Sequence, residues 1–196
     1  MSSAVKRPCC RAFAAGIAGL AIAIAQVPAA HAQTAVPPPV RPPNDFQEAT
    51  LQYRKGEYDT AITHVDAWLK SRPKDARGRF LRGMILTQQK KVDDAIGVYN
   101  DLTQDFPELP EPYNNLAVLY AERGDLDKAR GLLESAVRAN ARFSAAHENL
   151  GDIHTRLAAA SYEQALKLDA GNKLIAAKLK AVNELLPLPP PAAGKP

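Results

Sequence analysis

The chain reads GEYDTA at residues 56–61, and the pattern returns at intervals of 34 residues as KKVDDA at 90–95 and GDLDKA at 124–129. The same interval separates larger side chains further along, namely Val65, Tyr99 and Leu133. A fixed period of this length is typical of proteins built from stacked supersecondary units, each of which buries its apolar face against its neighbours. We therefore predict a repeat architecture.

We predict two amphipathic helices in each repeat, because apolar residues recur at three- and four-residue intervals both before and after the start of the recurring stretch. In the third repeat, the first helix has its apolar stripe at Tyr113, Leu116, Ala117 and Tyr120. The second helix of that repeat has its stripe at Leu126, Ala129, Leu133, Ala136 and Val137. A small residue recurs at 61, 95 and 129, and there we expect the two helices of each unit to approach closely.

The spacing and residue types resemble the tetratricopeptide-repeat (TPR) family, with Gly124 at the turn and Pro73 and Pro107 at the ends of the first two units. The resemblance implies an all-α solenoid of helical hairpins with a C-terminal capping helix, in a domain covering 44–186. The complete units are expected at 42–75, 76–109 and 110–143.

A fourth unit at 144–172 is degenerate. Its middle, residues 155–161, is about five residues short of the family period and contains no Gly, Pro, Asn or Asp to form a turn. Two structures fit, a very tight hairpin or one helix from Ser144 to Leu168. The alanines favour the long helix because alanine has the highest helix propensity. Residues 173–186 are predicted to form the capping helix.

Both ends of the chain lie outside the repeats. Residues 1–32 have the features of an export signal, because a basic lead precedes an apolar run at 12–25 and Ala30-His31-Ala32 fits the small-x-small cleavage pattern. The run is too short to span a bilayer comfortably. We therefore predict a periplasmic bacterial protein with no stable membrane insertion after cleavage. Proline-rich stretches at 33–43 and 187–196 are predicted to be a linker and a tail.

The net charge argues against nucleic-acid binding, and the absence of cysteine excludes disulfides and thiol catalysis. Without the signal, the chain has 22 Lys and Arg against 21 Asp and Glu, and it has no cysteine. A net charge of +1 does not favour nucleic-acid binding, and neither disulfides nor thiol catalysis are available. Basic residues do gather where the first unit meets the second, at Arg72, Lys74, Arg77, Arg79 and Arg82. They are interpreted as a solvated face, or alternatively as a surface for an acidic partner or an anionic membrane headgroup.

One group of residues suggests a metal or a general base: His147, Glu148, Asp152 and His154. The two histidines are seven residues apart, about 10 Å on a helix, whereas a helical zinc site needs a spacing of four. Both also stand where the family has large core residues, so we interpret them as structural. The sequence has neither a Gly-rich phosphate loop nor a nucleophile elbow. We predict no enzymatic activity, no metal and no cofactor.

The resemblance implies that the first helix of each unit lines a concave groove for an extended peptide or a partner helix. By register, the predicted groove residues are Arg77, Asn114, Asn115, Glu122, Glu148, Asn149 and Asp152. Asparagine amides suit this task because they both donate to and accept from an extended backbone. Phe46 and Thr50 stand where the family's carboxylate clamp has Lys and Asn, so chaperone C-terminal tails are not expected as ligands. The alternative is a structural protein that self-associates or acts as a spacer without a groove ligand.

Overall fold

A computed structural model describes residues 44–185, and within that range the chain forms eight α-helices and no strand. The helices are α1 (Asp45–Lys55), α2 (Tyr58–Ser71), α3 (Ala76–Gln88), α4 (Val92–Asp105), α5 (Pro110–Glu122), α6 (Leu126–Ala139), α7 (Ser144–Leu168) and α8 (Lys173–Glu184). Helices pack mainly on the next helix in the chain, while α1 also contacts α3 and α5 also contacts α7. The predicted all-α repeat solenoid is confirmed. The predicted signal, linker and tail lie outside the described residues.

The turns inside the three complete units share one backbone conformation. Gly56 and Gly124 have φ of 81° and 82°, and Lys90, at the same place in the second unit, has φ of 60°. Glycine suits this left-handed position because it has no Cβ to meet the following carbonyl oxygen. The stretches GEYDTA, KKVDDA and GDLDKA therefore each begin at the turn residue between the two helices of a unit.

Side-chain caps fix where several helices begin. Asn44 accepts a hydrogen bond from the backbone N–H of Gln47, and the Gln47 side chain accepts one from the N–H of Asn44, which makes a capping box at α1. Asp75, Asp125 and Asn172 each cap a helix through the side chain alone, at α3, α6 and α8. Such caps satisfy backbone donors that have no partner within the helix.

Small residues set the spacing of the helices in the core. Ala61, Ala95 and Ala129 are fully buried. At Gly83, on α3, an added Cβ would lie only 2.7 Å from Cε1 of the buried Tyr99 ring on α4. The close approach of α3 to α4 therefore depends on the absence of a side chain at this position.

Ala129→Leu is expected to lower the free energy of unfolding by about 1–3 kcal/mol, because the added atoms have no space beside Leu133 and Ala117 in the same core cluster. Glu134→Ala, on the outer face of α6, should change it by less than about 0.5 kcal/mol. The comparison is made by urea denaturation. A larger loss for Glu134→Ala would contradict the assigned register.

The degenerate fourth unit forms a single helix, α7, of 25 residues. Without a turn residue between 155 and 161 the first and second helices of the unit are continuous, and α8 packs against α7 in place of a separate second helix. No helix within residues 44–185 has the length and apolar character needed to cross a bilayer.

Candidate functional site

A pocket of about 430 Å³ opens on the face formed by the first helices of the three complete units. We call it the first-helix pocket. Its apolar lining consists of Phe46 on α1, Ala76, Phe80 and Leu81 on α3, and Leu109 and Pro112 at the start of α5. Its polar lining consists of Thr50, Arg54, Arg77 and Glu111. Concave, mainly apolar sites with a few placed polar groups are where proteins bind ligands.

The positive and negative side chains lie on opposite sides of the pocket rim. Arg77 is highly exposed, and its guanidinium lies over the Phe46 ring, 5.5 Å from the centroid. Its nearest carboxylate within the described part of the chain is Asp75, at 3.8 Å, too long for a strong ion pair. Arg54 makes no ion pair among residues 44–185. Two cations therefore lie on the α1 and α3 side, and Glu111 lies on the α5 side.

Two other members of the basic group, Arg79 and Arg82, form ion pairs. Arg79 pairs with Asp105 on α4, and the Arg82 Nε atom lies 2.8 Å from an Asp66 carboxylate oxygen on α2. Because these side chains bond to aspartates on second helices, the group does not form one continuous basic surface. Of the group, Arg77 is the member that lines the pocket.

The three predicted groove asparagines lie inside the helix packing. Asn114 is fully buried, and Asn149 and Asn115 are 1% and 5% exposed. The Nδ2 atom of Asn149 donates to Asn114 Oδ1 at 2.7 Å, Asn114 Nδ2 donates to Asn115 Oδ1 at 3.4 Å, and Asn115 Nδ2 donates to the Tyr99 hydroxyl at 3.2 Å. We call this set of side chains the amide chain. It joins α7, α5 and α4, and its amides hydrogen-bond to one another inside the helix packing.

The charged residues of the predicted site are placed differently. Arg77, Glu122 and Glu148 are exposed, and Asp152 is half-buried. Arg77 lies on the rim of the first-helix pocket, whereas the other three belong to α5 and α7 and do not line it. The structure thus separates the predicted set into a buried amide chain, one pocket residue and three acidic residues elsewhere on the first helices.

Burial raises the pKa of Tyr99 from its usual 10.0 to about 12, and side-chain interactions with Asn115 and Thr87 oppose the shift only in part. The neutral phenol is therefore stabilised in the folded state. Below pH 10, where the tyrosine is neutral in both states, the folded protein has the whole of this stabilisation. As the pH rises from 10 to about 12, Tyr99 ionises in the unfolded chain before it ionises in the folded one, so the stabilisation is lost. We expect urea denaturation to show stability falling across this interval. Tyr99→Phe should reduce that fall, and an unchanged slope in Tyr99→Phe would contradict the assignment.

The two histidines interpreted as core residues are exposed instead. A ring nitrogen of His147 lies 3.0 Å from the Ala141 carbonyl oxygen. His154 stands 34 residues after Tyr120, which the following helix α6 covers with Lys128, 3.8 Å from the Tyr120 ring centroid. Since α7 continues without a turn, no following helix covers His154 in this way. Within residues 44–185, no three His, Cys, Asp or Glu side chains gather as a metal site.

The sequence places Phe46 and Thr50 at clamp positions of the groove, but we did not predict from it that Phe80, Leu109 and Pro112 form an apolar pocket with them. A signal was nevertheless present. Phe46 and Phe80 are 34 residues apart, at the same register position of two successive first helices, and Arg77 and Glu111 are related in the same way. The repeat register therefore brings both pairs to neighbouring positions on one face.

The fold is that of a helical-repeat scaffold for protein–protein interaction. Models of the tetratricopeptide repeat match residues 46–110 and 86–152. The chain belongs to the tetratricopeptide-repeat family, whose members are in general non-catalytic. No curated protein sequence matches the chain.

Solved structures share the fold. TTC0263, a thermophilic TPR protein from Thermus thermophilus, is 24% identical over 73% of this chain and 81% of its own, with a TM-score of 0.54. The first TPR of Spaghetti (RPAP3), bound to the HSP90 peptide SRMEEVD, is 18% identical over 58% and 90%, with a TM-score of 0.54. MamA from Desulfovibrio magneticus RS-1 is 23% identical over 72% and 73%, with a TM-score of 0.52.

Proposed function

We propose that this protein is an exported, non-catalytic scaffold that holds an extended segment of a partner protein in the first-helix pocket. The observation that supports the proposal is the pocket itself, an apolar recess with a charged rim on the face that the repeats present jointly. A related fold holds a peptide in the Spaghetti complex, which makes a peptide ligand a reasonable expectation for this chain.

The dimensions of the pocket favour a short extended segment. Its volume of about 430 Å³ lies within the ~300–1,000 Å³ that is typical of ligand sites, so the pocket can hold the side chains of a few successive residues of an extended segment. Apolar side chains would pack between Phe46 and Phe80, while Arg54, Arg77 and Glu111 would orient the segment through its charges.

The proposal also limits the ligand. Phe46 and Thr50 are both part of the pocket lining, at the positions where a carboxylate clamp would need Lys and Asn. An aromatic ring and a hydroxyl offer no cation for a terminal carboxylate at these positions. A chaperone tail is therefore not the expected occupant. Glu122, Glu148 and Asp152 remain proposed contacts for a longer partner that extends along α5 and α7.

Thr50→Trp tests the pocket because an indole at this position would fill it. Thr63→Trp is the matched control, since Thr63 is exposed on α2 and, like Thr50, bonds its hydroxyl to the carbonyl four residues earlier. Each variant and the unaltered protein are used to capture partners from periplasmic extract, with quantification by mass spectrometry. We expect one set of partners to be retained by Thr63→Trp and lost by Thr50→Trp. Equal capture by both would argue against the pocket.

Export is a separate part of the proposal, and it rests on the sequence of residues 1–32. Mass spectrometry of the protein from its own cells is expected to find Gln33, or its cyclised form, at the N-terminus. Intact Met1–Ala32 on most molecules would contradict export by a cleaved signal.

A further inference from the structure

The last helix of the described residues, α8, has an exposed apolar stripe. Leu174 and Leu185, the residue that directly follows the helix, are 66% and 61% exposed, and Ala177 and Ala181 between them are also exposed. Their spacing of three, four and four residues places all four side chains on one side of the helix. We call these four residues the α8 stripe.

The half-buried apolar residues of α8 lie on a different side from the stripe. Ile175, Leu179 and Val182 are partly buried, and α7 is the helix against which α8 packs. The helix therefore has two apolar sides, of which one covers α7 and the other is open. Within the described range, large exposed apolar residues are concentrated here, because Leu168 also lies at this end and only Leu51 lies elsewhere. A concentrated exposed apolar patch marks an interaction surface.

The order of residues in the stripe makes it complementary to itself. Leucines stand at its two ends and alanines at its centre, so the order of residue types is the same in either direction. In an antiparallel pair of such helices, Leu174 of one copy lies opposite Leu185 of the other, and Ala177 lies opposite Ala181. Small central residues let two helix axes approach closely, and the terminal leucines then close the two ends.

The two charges at the ends of the helix agree with this arrangement. Lys173 and Glu184 lie along one edge of the stripe, 11 residues apart, which is about 16 Å along the helix axis. They are too far apart to pair within one copy. In an antiparallel pair, Lys173 of each copy comes beside Glu184 of the other, and a twofold axis makes the contact twice. Lys178, at the other edge, lies 5.9 Å from the Tyr162 ring centroid on its own α7.

We propose that α8 is a self-association surface whose partner is the α8 stripe of a second copy of this chain, packed antiparallel about a twofold axis. One helix of 12 residues makes a small interface, below about 1,200 Å², and such interfaces are weak and transient. A reversible monomer–dimer equilibrium therefore follows. The proposal does not depend on the first-helix pocket, which lies on α1, α3 and α5 and would remain open in each copy.

The first experiment measures the molar mass of the full chain by sedimentation equilibrium over a wide range of concentration. We expect the mass to rise from monomer towards dimer. Ala181→Glu places a charge at the closest approach and should leave a monomer throughout. Ala160→Glu, at an exposed position on α7, is the matched control and should dimerise normally. A monomer at all concentrations for the unaltered chain would overturn the proposal, as would undiminished dimerisation of Ala181→Glu.

The second experiment tests the antiparallel register by exchanging charges. Lys173→Glu and Glu184→Lys should each weaken dimerisation several-fold, because each places like charges together twice. The double variant, Lys173→Glu with Glu184→Lys, should restore it. No change within a single α8 explains such a rescue, since the two residues are 11 positions apart. Additive weakening in the double variant would overturn the antiparallel pairing.

Discussion

Tyr99→Ala is expected to lower the free energy of unfolding by about 3–5 kcal/mol, the cost typical of removing a large buried aromatic ring. Tyr99 is 1% exposed, and its ring packs beside Gly83 and lies 5.8 Å from Phe80, centroid to centroid. Because Gly83 has no side chain to fill the vacated space, the surrounding helices can close it only by moving. The substitution also removes the hydroxyl that accepts from Asn115.

Urea denaturation measures this effect, and Tyr99→Phe separates the ring from its hydroxyl. Tyr99→Phe keeps the ring and removes the hydroxyl acceptor of a buried amide, so a loss of about 1–3 kcal/mol is expected. The difference between the two variants then reports the cavity alone. Equal losses for Tyr99→Ala and Tyr99→Phe would show that the ring does not fill the core between α3 and α4.

Asn114→Ala is expected to cost about 2–4 kcal/mol, because it removes two contacts of the amide chain at once. Asn149 loses the oxygen to which it donates at 2.7 Å, and Asn115 loses the amide donor at 3.4 Å. Removing a hydrogen-bond partner from a buried polar group costs about 1–3 kcal/mol for each group. Both neighbours are almost fully buried, so water cannot readily replace what is lost.

Asn183→Ala is the matched control for this prediction, since Asn183 is also a helical asparagine but is exposed on α8. It should change stability by less than about 0.5 kcal/mol. Combining Asn114→Ala with Asn149→Ala should cost less than the sum of the single changes, because the hydrogen bond they share can be lost only once. Strict additivity of the two losses would contradict a coupled amide chain.

The fold follows from the sequence because its determinants are local and repeated. The 34-residue period, the small residues at 61, 95 and 129, and the left-handed turn positions each describe contacts between segments close in the chain. The long helix α7 was one of two alternatives, and the alanine-rich stretch 155–161 without a turn residue favoured the one observed. Local propensity decided the outcome there because no separate second helix competes for that segment.

The site was less predictable, because exposure depends on packing between units. Register correctly places Asn114 and Asn149 on first helices, but it does not say how closely α7 packs on α5. That approach brings the two amides within hydrogen-bonding distance and excludes solvent from both. Conversely, Phe46 and Phe80 have the residue type of core positions, yet they line an open pocket between successive units.

The contact pattern of the helices has a consequence for the dynamics of the molecule. A chain whose helices contact mainly their neighbours in sequence has low contact order, so it is expected to fold rapidly and to open in segments from its ends. The helix α8 has no fully buried residue and contacts one neighbour, α7. Its amide hydrogens should therefore exchange with solvent first. Those of α4 and α5, which share a buried core cluster and the amide chain, should exchange last.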